Sequence, residues 1–346
     1  MRDRTDNGLR RAARSIDPAW DSCSFVRVKW RAIAIIFFGS AAPAFVLLGC
    51  PPSFPDLCAG AGCGLADASA DPFDVATDGE ACDPDAAFEL KPVEGLSTLG
   101  WTSMGTARLS PDEKTIYFRA KPDGGWDHLF TATRASRDEP FGPPKPLSSL
   151  NSSLADGDPT VSGDQLRVVF SRTDPTHTAT ADLFIAARSK PTDPFGAPDA
   201  MVSLNGPVLD GNPFLASDGG ELWFESGDVP TYHLFRALAG EHGFQDSGRI
   251  PVPSPVLGST RETCPVLSFD GKVLFLTAQV AGKSGNDIWE ARRNSIDEDF
   301  QPARHVTELS DAGSEGASWL SPDGCRLYLF HSSPAQIFMA ERPRKK

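Results

Sequence analysis

Four acidic residues stand at near-equal intervals along the chain: Asp156, Asp210, Glu262 and Glu315, with Met104 in the same slot one interval earlier. Two residues further on come Thr106, Asp158, Asn212, Cys264 and Ala317, which add one more carboxylate and an amide. An architecture that gathers these slots makes Asp156, Asp158, Asp210, Asn212, Glu262 and Glu315 a rim of oxygen ligands. Such a rim attracts the Lys and Arg side chains of a basic partner, or Ca2+ as the one candidate ion. Two of the carboxylates could instead serve as acid and base on a glycosidic bond, which requires a pair about 5 to 10 Å apart with one raised pKa. Five acids crowded together fit binding better than that division of roles. The plainer use of the same residues is to cap loop amides.

No other constellation points to catalysis. There is no G-x-S-x-G elbow, H-E-x-x-H pair or glycine-rich phosphate loop, so no catalytic residue and no resident cofactor are expected. Cys58, Cys63 and Cys82 have no neighbouring His and match no paired zinc spacing. In an oxidising compartment one disulfide among those three is expected. Lys plus Arg number 33 against 46 Asp plus Glu, a net charge of −13, and no basic block follows a phosphate backbone. Nucleic-acid binding is excluded on that balance.

The intervals that space the acids belong to a repeat. The segments LSPDEKTIYF, VSGDQLRVVF, ASDGGELWF, LSFDGKVLF and LSPDGCRLYLF each join a turn to an apolar strand, with turn aspartates Asp112, Asp164, Asp218, Asp270 and Asp323 spaced by 52, 54, 52 and 53 residues. Each aspartate is placed to bond its own backbone in a tight hairpin. The following strands carry Phe118, Phe170, Phe224, Phe275 and Phe330, and a third strand carries Phe130, Phe184, Phe235, Trp289 and Phe338. A fourth, weaker strand begins near Phe141, Phe195, Phe244 and Phe300. With 31 Gly and 30 Pro among 346 residues, turn-rich β structure is expected, and four short strands per unit make a propeller blade.

Five blades are counted, and a sixth finds no spare residues. The fifth unit lacks a fourth strand, while 88–96, FELKPVEGL, matches the fourth-strand segment FGPPKPLSSL of the first. The N-terminal strand is therefore expected to close the ring, giving an all-β propeller over 87–343. His128 and His233 share a slot with Asp182, Asp287 and Gln336, and Arg134, Arg188, Arg293 and Arg342 recur four residues after the third-strand aromatic. Repetition points to structural work for both sets. Cys264 and Cys325 fall at opposite ends of neighbouring blades, where they are expected to be unbridged.

Ahead of the repeats, Ala32–Gly49 is free of charge, is preceded by Arg27, Lys29 and Arg31, and ends at Cys50. Residues 1–49 read as a signal peptide, and a start at Val28 would leave a more compact one. Pro43 and the small residues near its end argue against a permanent span. Leu47-Leu48-Gly49-Cys50 resembles a bacterial lipoprotein signal, which implies lipidation of Cys50 and a membrane anchor; secretion without a lipid is the competitor. Residues 50–86 hold no Lys or Arg before Lys91 and read as a flexible acidic tether.

Ser321-Pro322-Asp323-Gly324 with Leu327-Tyr328, and Asp287-Ile288-Trp289 in a third strand, resemble the WD40-like propeller repeats of the periplasmic TolB family over residues 88–342. Six blades is the usual number in that family, and its helical domain has no counterpart here. The resemblance implies an envelope location; the expected partner is an envelope protein or basic peptide, and a monomer is expected.

Overall fold

The computed structural model describes residues 82–345 apart from 97–98, 123, 175–179, 229, 245–247, 283–284, 311–312 and 334. The expected signal peptide 1–49, Cys50, and most of the expected tether lie outside the described residues.

Five sheets of four antiparallel strands make five blades, so five is the blade number. The first contains β2 (Ser103–Leu109), β3 (Thr115–Lys121), β4 (His128–Thr133) and β5 (Lys145–Pro146). The second contains β6 (Ala155–Val161), β7 (Arg167–Thr173), β8 (Asp182–Ala187) and β9 (Asp199–Ala200). The third contains β10 (Leu209–Leu215), β11 (Glu221–Gly227), β12 (His233–Leu238) and β13 (Ile250–Pro251). The fourth contains β14 (Ser259–Leu267), β15 (Val273–Val280), β16 (Asp287–Arg292) and β17 (Arg304–His305). In the fifth, β18 (Glu315–Leu320), β19 (Arg326–Ser332) and β20 (Ala335–Glu341) are completed by β1 (Glu89–Pro92), in the order β1-β20-β19-β18. Glu89 pairs with Glu341 and Pro92 with Phe338, as the match of FELKPVEGL to a fourth strand implies.

The turn aspartates do the local work expected of them. Asp112, Asp164, Asp270 and Asp323 each accept the backbone N–H two residues on and a serine hydroxyl two residues back, and Asp218 accepts the Gly220 N–H at 2.8 Å. A short carboxylate that bonds its own turn makes the hairpin cheap to form.

Successive blades bury their faces against each other. Tyr117 and Leu129 of the first blade pack with Val168 and Phe170 of the second, and Val169 and Leu183 pack with Leu215 and Phe224 of the third. Trp319, Tyr328 and Ile337 of the fifth return to Ile116 and Phe118 of the first, closing the ring. The recurring arginines form a second tier. The guanidinium carbons of Arg134, Arg188, Arg293 and Arg342 lie 4.3, 4.2, 4.5 and 4.0 Å from the ring centres of Phe141, Phe195, Phe300 and Phe88. Each stack joins the end of a third strand to the start of a fourth.

The cysteine pairing differs from expectation. Cys82 is disulfide-bonded to Cys325 in the fifth blade's turn, with Cα atoms 5.4 Å apart, rather than to Cys58 or Cys63. The cause is ring closure: β1 runs beside the last strand, so the chain before it lies along the same blade. Cys82 bridges Arg344, and the Asp83 N–H donates to the Pro343 carbonyl at 3.0 Å. Cys325 is thus no isolated packing residue, whereas Cys264 is free and buried, as expected.

Candidate functional site

The first strands β2, β6, β10, β14 and β18 touch one another in a closed ring around the central channel. Their N-terminal ends carry the acids singled out in the sequence. Asp156, Asp210 and Glu262 are 0% exposed and Glu315 is 2% exposed. Asp156 accepts the backbone N–H and hydroxyl of Ser152 at 2.6 and 2.9 Å and pairs with Arg172 Nε at 2.6 Å. Asp210 accepts the Gly206 N–H at 2.7 Å and pairs with Arg249 Nη2 at 3.1 Å. Glu262 accepts the hydroxyls of Ser254 and Ser259. His128 and His233, in their repeated slot, reach Asp156 and Glu262 of the next blade at 3.8 Å. Asp156, Asp210 and Glu262 therefore fasten the loops that enter the second, third and fourth blades. Arg172 and Arg249, their counter-charges, gave no signal in the acid spacing.

One step deeper lies the second set. A β-bulge interrupts every first strand: one extra residue stands between Gly105 and Arg108, Gly157 and Thr160, Gly211 and Phe214, Thr263 and Val266, and Ala317 and Trp319. Thr106, Asp158, Asn212 and Cys264 occupy these bulges with left-handed φ of 32°, 54°, 42° and 52°. Bending aims their side chains at neighbouring blades. Asp158 accepts from Thr106 Oγ1 at 2.8 Å and Ser171 Oγ at 3.0 Å, and pairs with Arg119 Nε at 3.1 Å. Asn212 donates to Glu225 Oε1 at 2.8 Å and Thr263 Oγ1 at 3.0 Å. Glu225 is buried, and burial pushes its carboxyl up to about 7. The Cys264 thiol is pushed up to about 12 by the same cause.

Arg108 crosses the channel beneath this belt. From the first blade its Nη2 donates to the carbonyls of Pro213 and Pro265, in the third and fourth blades, at 3.1 and 3.4 Å. The matching slots hold Thr160, Phe214, Val266 and Trp319, so a lone charge in an otherwise uncharged repeat position was the signal for it.

Beyond Arg108 the other face opens into a cleft of about 1320 Å³. It is walled by the hairpin turns at Pro111, Gly163, Asp218, Asp270 and Pro322 and extends between the third and fourth blades, past Trp223, Leu238, Ile250, Arg293, Ile296 and Phe300. None of Asp156, Asp158, Asp210, Asn212, Glu262 and Glu315 lines it. Leu238, Ile250 and Ile296, three of the large apolar side chains left exposed, all do. Acidic groups surround them: Asp218, Glu221, Asp270, Asp297, Glu298 and Asp299 against Arg108, Arg236 and Arg293. Arg236 is already paired with Glu221 at 2.8 Å.

No protein-family model matches the chain, and no curated protein sequence does. Solved structures are similar in architecture. TolB from Acinetobacter baumannii is 14% identical over 71% of this chain, with a TM-score of 0.45; this chain spans 56% of that structure. A putative TolB from Agrobacterium tumefaciens is 13% identical over 73% of this chain and 79% of its own, with a TM-score of 0.44. An α-L-arabinofuranosidase from Podospora anserina, solved with cellotriose, is 12% identical over 75% of this chain and 98% of its own, with a TM-score of 0.49. By its own strands this chain is a five-bladed β-propeller.

Proposed function

We propose that this chain is an exported, lipid-anchored β-propeller of the cell envelope that binds a protein or basic peptide segment. The observation that carries the reading is the cleft on the turn face, where exposed Leu238, Ile250 and Ile296 stand among acidic side chains. Apolar side chains open to water inside a concave site favour a partner that covers them, and the acidic surround selects Lys and Arg in that partner. The Cys82–Cys325 disulfide supports export, because such bonds persist in oxidising compartments. The charge-free run before Cys50 supports the anchor.

The test is crosslinked capture from intact envelopes with wild type and a Leu238→Asp, Ile296→Asp double variant. Both positions are exposed, at 49% and 59%, so the variant is expected to keep its fold, which circular dichroism checks. Loss of a captured protein in the variant supports the reading; an unchanged captured set overturns it. Mass spectrometry of the N-terminal peptide checks the anchor: diacylglyceryl Cys50 as first residue is expected.

A further inference from the structure

At the inner end of this cleft Arg108 is 1% exposed, and no carboxylate is paired with it among the described residues. Its Nη2 is held by two proline carbonyls, while Nε and Nη1 have no hydrogen-bond partner. A guanidinium carries five N–H donors in a planar fork suited to carboxylates. Burying it with most of them unused carries a desolvation cost that an uncharged core residue would not. Burial lowers its pKa only to about 10, so it stays charged at neutral pH. The belt carboxylate Asp158 is already engaged by Arg119. The other repeat units close the same slot with uncharged side chains, so a plug needs no charge. The ring of Phe214, which also lines the cleft, lies 5.0 Å from the guanidinium carbon, a cation–π contact that leaves the Nε and Nη1 donors unused.

We propose that Arg108 is an anion-binding residue that receives a carboxylate entering through the cleft, the C-terminal carboxylate of the bound peptide. This rests on the peptide-binding reading and deepens it. The acidic mouth takes the basic side chains of the segment, the exposed aliphatic residues take its apolar ones, and the chain end reaches Nη1 and Nε. Charge-assisted bonds to a desolvated guanidinium are the strong kind, and a free carboxylate is then distinguished from its amide by a large factor.

The experiment reads tryptophan fluorescence, since Trp223 and Trp319 line the cleft. Three probes are titrated into the full chain at pH 7.4: the peptide Lys-Lys-Leu-Phe with a free C-terminus, the same peptide as its C-terminal amide, and 4-phenylbutyrate. The expected result is free-acid binding at least about 10-fold tighter than the amide. That ratio falls to about one in Arg108→Met and is intermediate in Arg108→Lys. Equal affinity of acid and amide for wild type overturns the carboxylate site while leaving the cleft as a peptide site, and it needs no variant to fold. Binding of 4-phenylbutyrate alone, lost in either variant, supports the carboxylate site but makes its ligand a small acid and overturns the peptide reading. If no probe binds, both fall.

Discussion

The Arg342 guanidinium carbon sits 4.0 Å from the ring centre of Phe88, so the last strand of the chain holds the residue that leads into the first. Phe88 also meets Phe275 edge-on at 6.1 Å, and Arg342 Nη2 donates to Glu290 at 2.7 Å. Burial alone would raise the Glu290 pKa, but Arg342 and Arg292 hold it below the usual carboxylate range. Ring closure therefore passes through one buried aromatic and one buried ion pair, two hundred and more residues apart in the chain.

Phe88→Ala is expected to cost about 3–5 kcal/mol of stability, because a filled interblade site becomes a cavity. Leu90→Ala on the same strand, where the side chain is 38% exposed, is expected to change stability by no more than about 0.5 kcal/mol. Urea denaturation of the two variants measures the contrast; equal effects would mean that closure does not depend on this contact.

A second closure lies on the other side of the fifth blade, at its interface with the first. Glu113, buried and with a left-handed φ of 58°, accepts from Arg326 Nε at 3.0 Å and from Tyr328 Oη at 3.0 Å. Burial and the neighbouring Glu113 carboxylate raise the Tyr328 phenol. Glu113→Ala leaves Arg326 with a weaker set of partners and is expected to cost about 3–5 kcal/mol. Glu113→Gln, which keeps an acceptor, should cost less. The order of the two melting temperatures checks this.

The Cys82–Cys325 bond encloses nearly the whole ring, with a sequence separation of 243. Long loops carry the largest closure entropy in the unfolded chain, so reduction or Cys82→Ser is expected to remove about 2–5 kcal/mol. Thermal melts with and without a reductant give the value, and Cys82→Ser should be insensitive to reductant in its propeller transition.

Stability should also fall as pH rises through the range set by Glu225. Its folded pKa, about 7, lies above that of an unfolded glutamate near 4.3, so between those values the folded chain binds more protons than the unfolded one. The lost stability develops from about pH 4.5, is complete above about pH 7, and amounts to roughly 3 kcal/mol. Glu225→Gln, which keeps the acceptor for Asn212, should gain on wild type by that amount between pH 5 and pH 8. Urea midpoints across that range decide it; parallel curves would refute the assignment.

The blade count, the turn chemistry and the closing strand were all legible in the residues. Period, turn aspartates and strand aromatics are local patterns, and a repeat states them five times over. Asp158 and Asn212 share one register in the repeat, and the bulges that aim them recur with it. Tertiary structure alone decided what those patterns face. Asp156 and Asp210 read as rim ligands or as caps of loop amides until folding set Arg172 and Arg249 against them as well, and burial of a charge depends on its neighbours rather than on its own spacing. Cys82 read as part of a tether until β1 was laid beside the last strand. Arg108 stood in the sequence as one charge in an uncharged slot; only the ring, by bringing Pro213 and Pro265 to its tip and leaving Nε and Nη1 bare, gave it a chemistry.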